Sequence, residues 1–193
     1  MPSTAIKKIS GKRKKVGIVV EENADELLRT VDDFGLYLVQ LHGNESPRYC
    51  EKISNYITVI KVFRLLDDDN VEWKIKDYHE VADMFMFDTS PLPTSPKGGG
   101  EPSLFGGSGK KFNWHILKDL NIRKSFFLAG GISPDDVDEL KKFAQQPVAK
   151  DLFAIDINSK FEVMPGVKDI DLIKAFRKRL TEPFLPNLFE DIQ

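Results

Sequence analysis

Six short stretches of this chain are apolar almost without interruption: Val16–Val20, Tyr37–Leu41, Thr58–Phe63, Met84–Phe87, Ser125–Ala129 and Leu152–Ile157. Runs that are continuous rather than alternating predict strands buried on both faces, as in a parallel sheet. The stretches between and after them carry a helical period. Asn23 and Glu26 stand at capping-box spacing ahead of Leu27, Leu28, Val31 and Phe34 on one face, and Gly35 is a natural stop. Ser46 and Pro47 open a second helix, with proline at a first-turn position where its missing N–H costs nothing. Val71, Ile75 and Tyr78 stripe a third, and Asn113 caps a short fourth that runs through Leu120. Ser133 and Pro134 open a fifth, with Asp135 and Asp136 in its positive first turn and Val137, Leu140 and Phe143 on its face. Asp169 opens a sixth, striped by Leu172, Ile173, Phe176 and Leu180.

Regular strand–helix alternation predicts a parallel sheet covered by helices. Two architectures satisfy it: a doubly wound open sheet and a (β/α) barrel of eight strands and roughly 250 residues. With six strands in 193 residues, the pattern alone leaves both open. Three segments fall outside it. Residues 1–15 form a basic arm (Lys7, Lys8, Lys12, Arg13, Lys14, Lys15). Residues 90–109 form a long loop rich in Pro, Gly and Ser, too poor in apolar residues to pack. Residues 181–193 follow the last helix as an extension. The expected organisation is thus one (β/α) domain over residues 16–180 with an inserted loop.

Charge and composition narrow the function classes. The net charge of −2 argues against a generally nucleic-acid-binding surface. No apolar run is long enough to span a membrane, and no apolar stretch of signal-peptide type follows the basic arm. One cysteine, Cys50, forms no internal disulfide, so the cytoplasm is the expected compartment. His42, Cys50, His79 and His115 are scattered, which argues against a dedicated zinc site.

In parallel α/β folds ligands bind at the C-terminal ends of the strands. The residues there are polar: Gln40 and His42 after the second strand, Lys61 and Arg64 on the third, Asp88 after the fourth, Gly130-Gly131 after the fifth, and Asp156, Asn158 and Ser159 after the sixth. Asp88, at the mouth of an apolar strand, reads either as a general acid kept protonated by burial or as a carboxylate capping loop backbone. Gly130-Gly131 ahead of a helix, facing Asn158-Ser159, reads as a phosphate cup, with a tight turn as the plainer alternative. His42 reads as an acid, a substrate contact or a turn residue, and Cys50 as a small core residue. Gly106-Gly107-Ser108-Gly109-Lys110 lacks the leading strand and the Lys-Ser/Thr end of a Walker A loop, which leaves a hinge or lid.

Together these stretches resemble the phosphoribosylanthranilate isomerase family of tryptophan biosynthesis. The resemblance rests on VGIVVEENADELLRTV, YLVQLHGNESPRYC, VIKVF, MFMFDT, GGSGKKFNW, FFLAGGISPDDV and AIDINSKFEVMPGVKD, which occur in the family's order over most of 16–180. It implies a (β/α)8 TIM barrel and an Amadori rearrangement of N-(5-phosphoribosyl)anthranilate to 1-(2-carboxyphenylamino)-1-deoxyribulose 5-phosphate. The sugar phosphate is the partner, with no metal and no organic cofactor. By resemblance Asp88 is the general acid. Gly130, Gly131, Asn158 and Ser159 hold phosphate, and Asp156, Gln40 and His42 face the substrate. Gly107 and Ser108 belong to the loop over the site.

Two departures bear on activity. The family opens with a K-I-C-G strand carrying the catalytic cysteine, then a second strand with a substrate-binding arginine. Here Lys8-Ile9-Ser10-Gly11 puts serine at the cysteine position, and Gly11 lies five residues from Val16. Leu92–Phe105 resembles an insertion beside the site. A missing base costs about 10²–10⁴-fold, so little isomerisation is expected, and a phosphate-binding barrel remnant is the alternative. Six of eight strands, with the family's first two βα units lacking, also leave two parallel edges unpaired, which predicts a chain that aggregates, forms a homodimer through those edges or closes poorly.

Overall fold

The computed structural model describes residues 14–89 and 112–182. Each apolar run forms a strand: β1 (Val16–Val19), β2 (Leu38–Leu41), β3 (Thr58–Leu65), β4 (Met84–Thr89), β5 (Phe126–Leu128) and β6 (Leu152–Ile155). They join in one sheet in the order 1-2-3-4-5-6, every adjacent pair parallel. That order has no reversal, the mark of a doubly wound sheet. Right-handed crossovers taken always in the same direction put every connecting helix on one face of the sheet. This is barrel topology, open between β6 and β1 among the described residues.

Helix ends follow the local chemistry. In α1 (Ala24–Phe34) the Asn23 side chain accepts from the Asp25 amide, without the reciprocal bond from Glu26, and Gly35 closes the helix at φ 58°. Ser46 accepts from the Tyr49 amide at the start of α2 (Pro47–Ser54). Asn70 caps α3 (Val71–Ile75), Ser133 and Asp136 form a capping box ahead of α4 (Val137–Phe143), and Asp169 caps α5 (Ile170–Thr181). The expected fourth helix is only a 3-10 turn, Trp114–Leu117. Its two buried side chains, Trp114 and Leu117, lie three residues apart and match that tighter period. A small hairpin, β7 (Glu162–Met164) with β8 (Val167–Lys168), was not expected. Its signal is the Pro165-Gly166 pair, with Gly166 at φ 81°.

Side chains alternate across the strands into two sets. Val39, Leu41, Val59, Phe63, Leu65, Phe85, Phe87, Phe126 and Leu128 pack against the helices in one large core. Ile60, Val62, Met86 and Ala129, with Leu38, Met84 and Phe127, form a small second cluster on the inner face.

Candidate active site

All six strands are parallel, so their C-terminal ends share one mouth, and most of the polar residues named above meet there. The fourth register row from the mouth is apolar: Val62, Met86 and Phe127. Above it Arg64 pairs with Asp88 across β3 and β4. Asp88 is half-buried. Its Oδ2 lies 3.2 Å from His42 Nε2, and its Oδ1 accepts from the Thr89 amide at 2.7 Å. His42 Nδ1 lies 3.0 Å from Oε1 of the buried Gln40. Gln40, His42 and Asp88 thus stand in one line of hydrogen-bonding groups. Arg64 donates to the His42 carbonyl and holds this turn.

Gly130 has φ +90° and Gly131 +69°. A Cβ at Gly130 would sit 2.3 Å from Thr89 Oγ1 and 2.9 Å from Asp88 Oδ1. Glycine is thus required for this turn to pass beside the acid. Opposite it, Asn158-Ser159 opens a 3-10 turn. Lys168 from β8 donates to Asn158 Oδ1 and to Glu162 Oε1, so the unexpected hairpin brings an ammonium to the rim of the cup. Asp156 lies exposed at the same mouth. Crowding by surrounding protein, then the Asp88 charge, raise its carboxyl above the usual range, while His42 and Lys168 oppose this. Gly107 and Ser108 lie outside the described residues, as do Ser10 and the rest of the 90–109 insertion.

Lys61 corrects the expectation of a mouth residue. It faces the helices and is 3% exposed, its Nζ 2.7 Å from Glu45 Oε2 and donating also to the Leu41 and Gly43 carbonyls. Glu45 Oε1 in turn accepts from the Glu21 and Gly43 amides at 3.0 Å. Burial alone raises the Glu45 carboxyl; the Lys61 hydrogen bond and these amides outweigh it and hold it below its ordinary value. The pair ties the turns after β1 and β2 together beneath His42. Sequence reading passed over Glu45, because a carboxylate in a polar turn looks solvated until its cation is known. Cys50 is a core residue as expected, fully buried in α2, its thiol pushed up to about 11 by burial. Among the described residues no three His, Cys, Asp or Glu side chains gather to hold a metal ion, and no helix there is long and apolar enough to cross a membrane.

An open-mouthed parallel (β/α) barrel sheet, with an aspartate beside a glycine turn at its mouth, defines a TIM-barrel class of protein. Comparison with known proteins gives the family. The profile described as N-(5'phosphoribosyl)anthranilate (PRA) isomerase matches residues 3–179. The N-(5'-phosphoribosyl)anthranilate isomerases of Parabacteroides distasonis and Phocaeicola vulgatus are each 34% identical, over 88% and 87% of this chain and 70% and 75% of their own lengths. The crystal structure of the Thermus thermophilus isomerase superposes with a TM-score of 0.72 at 28% identity, covering 93% of this chain and 78% of that one. The isomerase in complex with reduced 1-(o-carboxyphenylamino)-1-deoxyribulose 5-phosphate superposes with a TM-score of 0.70 at 25% identity, covering 94% and 80%. The chain belongs to the phosphoribosylanthranilate isomerase family.

Proposed function

We propose that this chain binds N-(5-phosphoribosyl)anthranilate at the described mouth and supplies the acid half of its Amadori rearrangement, a step of tryptophan biosynthesis. The observation that carries the reading is the closeness of Asp88 to the Gly130 turn: a sugar phosphate gripped at Gly130, Gly131, Asn158 and Ser159 lies within reach of that carboxyl. Backbone N–H groups of the two turns and the Lys168 ammonium attract the phosphate. Asp88 gives its proton to the ribose ring oxygen as the C1–O bond breaks, and the anilino nitrogen's lone pair forms the Schiff base. His42 restores the proton to Asp88 and, with Gln40, orients it. Asp156, with its raised pKa, faces the anilino nitrogen, and the loop with Gly107 and Ser108 covers the site. No metal or organic cofactor enters.

The second half of the reaction, removal of the C2 proton to give the enol, needs a base. Cys50 is buried on the helix side of the sheet with its thiol near 11, which rules it out as a thiolate. Ser10 has a hydroxyl too weakly acidic to replace one unaided. The chain as given therefore turns over slowly, about 10²–10⁴-fold below an isomerase with both groups. Its single shielded thiol suits the reducing cytoplasm.

The test uses two arms. The reduced product analogue binds the chain in calorimetry, and inorganic phosphate competes with it; no binding overturns the phosphate cup. Complementation of a tryptophan auxotroph lacking this step gives no growth; robust growth overturns the missing base. In any residual turnover Asp88→Asn loses about 10²–10⁴-fold while analogue affinity is kept.

A further inference from the structure

The turn that carries His42 is held almost wholly by side chains from other elements. In the peptide before His42, the Leu41 carbonyl accepts from Lys61 Nζ at 3.3 Å, and the His42 amide donates to the Val19 carbonyl at 2.9 Å. In the peptide after it, the His42 carbonyl accepts from Arg64, and the Gly43 amide donates to Glu45 Oε1 at 3.0 Å. In the next, the Gly43 carbonyl accepts from Lys61 Nζ at 2.8 Å, and the Asn44 amide donates to Glu21 Oε1 at 3.3 Å. Three successive peptides thus have both polar groups engaged, and Lys61 and Glu45 together meet three of the six. The fit is close: a Cβ at Gly43 would sit 2.7 Å from Glu45 Oε1. Glu45 is itself anchored, its Oε1 accepting from the Glu21 amide and its carbonyl from the Tyr78 hydroxyl, each at 3.0 Å. A turn whose peptide planes are all fixed also fixes the Cα–Cβ direction of its side chain. The His42 ring then keeps only its two side-chain torsions. Gln40 at 3.0 Å and Asp88 at 3.2 Å take these up.

We propose that Lys61 and Glu45 are positioning residues for the acid at the mouth: acting through the His42 turn, they hold the imidazole against Asp88. The inference rests on the proposed function, in which Asp88 gives up the proton and His42 orients and recharges it. Fold stability alone supplies no reason for the pair. The two side chains are 3% and 2% exposed. Charges so deeply buried lose hydration that their attraction does not reliably offset, and an apolar pair of like volume fills such a site as well. An apolar pair cannot, however, donate to the Leu41 and Gly43 carbonyls or accept from the Glu21 and Gly43 amides. The chosen groups match these tasks. The lysine ammonium carries three donors on one atom. It spends them on the two carbonyls and on Glu45 Oε2. One Glu45 oxygen takes both amides while the other takes the ammonium. Lys61 faces the helices, so its effect on the mouth passes through the backbone of residues 41–44 and not through contact with a ligand.

The test compares the chain with the double variant Glu45→Gln, Lys61→Met, which leaves no buried charge and keeps an acceptor for the two amides. The readout is the His42 ring in proton NMR. The sequence has three histidines, and the His42 signals are those lost in His42→Gln. In the parent chain, Asp88→Asn shifts these resonances. In the double variant the same substitution shifts them at least about threefold less, as expected for two groups that no longer meet. The His115 signals, from the 3-10 turn Trp114–Leu117, stay in place in every comparison. No shift in the parent, or one of equal size in the folded double variant, overturns the proposal. A second measurement uses the unaltered chain and decides the matter if the double variant does not fold. The Gly43 amide, locked onto Glu45, exchanges with solvent within about tenfold of the buried β3 amides; exchange at the rate of an open loop overturns the proposal. Binding of the reduced product analogue to the parent is scored separately. Its absence sinks the proposed function, while the ring shifts still decide what holds His42 in place.

Discussion

β3 and β1 are read from the sequence as the same kind of segment, and the structure treats them differently. Both are continuous apolar runs. In β3 the side chains of Val59, Ile60, Val62 and Leu65 are buried on both faces, between the helices and the inner cluster. In β1 burial alternates, and the inward residues are the exposed ones. The difference lies in neighbours: β3 is flanked by β2 and β4, while among the described residues β1 has β2 alone. An apolar run states that a strand can be covered on both sides; whether it is covered depends on what stands beside it. Asp88 and His42 reflect the same contrast, for they lie at the ends of well-flanked strands.

Substitutions in the centre and at the rim should therefore differ sharply. The largest effect falls on the buried ion pair. Glu45→Gln leaves the Lys61 ammonium buried without its anion and should cost about 3–5 kcal/mol in denaturant unfolding at pH 7. The sign with pH follows from the lowered carboxyl. Stability from an ionised, paired Glu45 is present above its ordinary value of 4.5 and is lost as pH falls through the lower folded value. The gap between the two proteins should narrow below that pH, and a constant gap would mean that Glu45 is not charged in the fold. Phe87→Ala, which empties a site packed against Phe63 and Phe126, should cost a similar 3–5 kcal/mol by the same measurement. Gly130→Ala forces an unfavourable φ and a collision with Thr89 and should cost about 1–3 kcal/mol, with loss of analogue binding. A stable variant that binds normally would remove Gly130 from the cup. Ile18→Ser should change the stability of the chain alone by no more than about 0.5 kcal/mol. A cost like that of Phe87→Ala would show the rim to be covered already and would erase the contrast between β1 and β3.

The mouth was legible because polar residues that end apolar strands stand out against them. Gln40, His42, Asp88, Gly130, Gly131, Asp156, Asn158 and Ser159 were all picked on that ground. His42 touches Asp88, and Gly130 leaves no room beside it. Lys61 was misplaced because a strand residue's face depends on register, and one position separates mouth from helix layer. Lys168 has no such signal, since nothing local says that a hairpin folds back to Asn158.

What the amino-acid order determined by itself was local. Strand positions follow from apolar runs, and helix ends from Asn23, Gly35, Ser46, Pro47 and Asp169, because capping and periodicity are settled within a few residues along the chain. Tertiary structure alone decided the rest: the unreversed strand order that separates a barrel from a doubly wound sheet, the burial of Lys61 with Glu45, and the contact of His42 with Asp88. Each of these joins residues many positions apart, and their meeting depends on strand pairing and register, which no short stretch of sequence encodes.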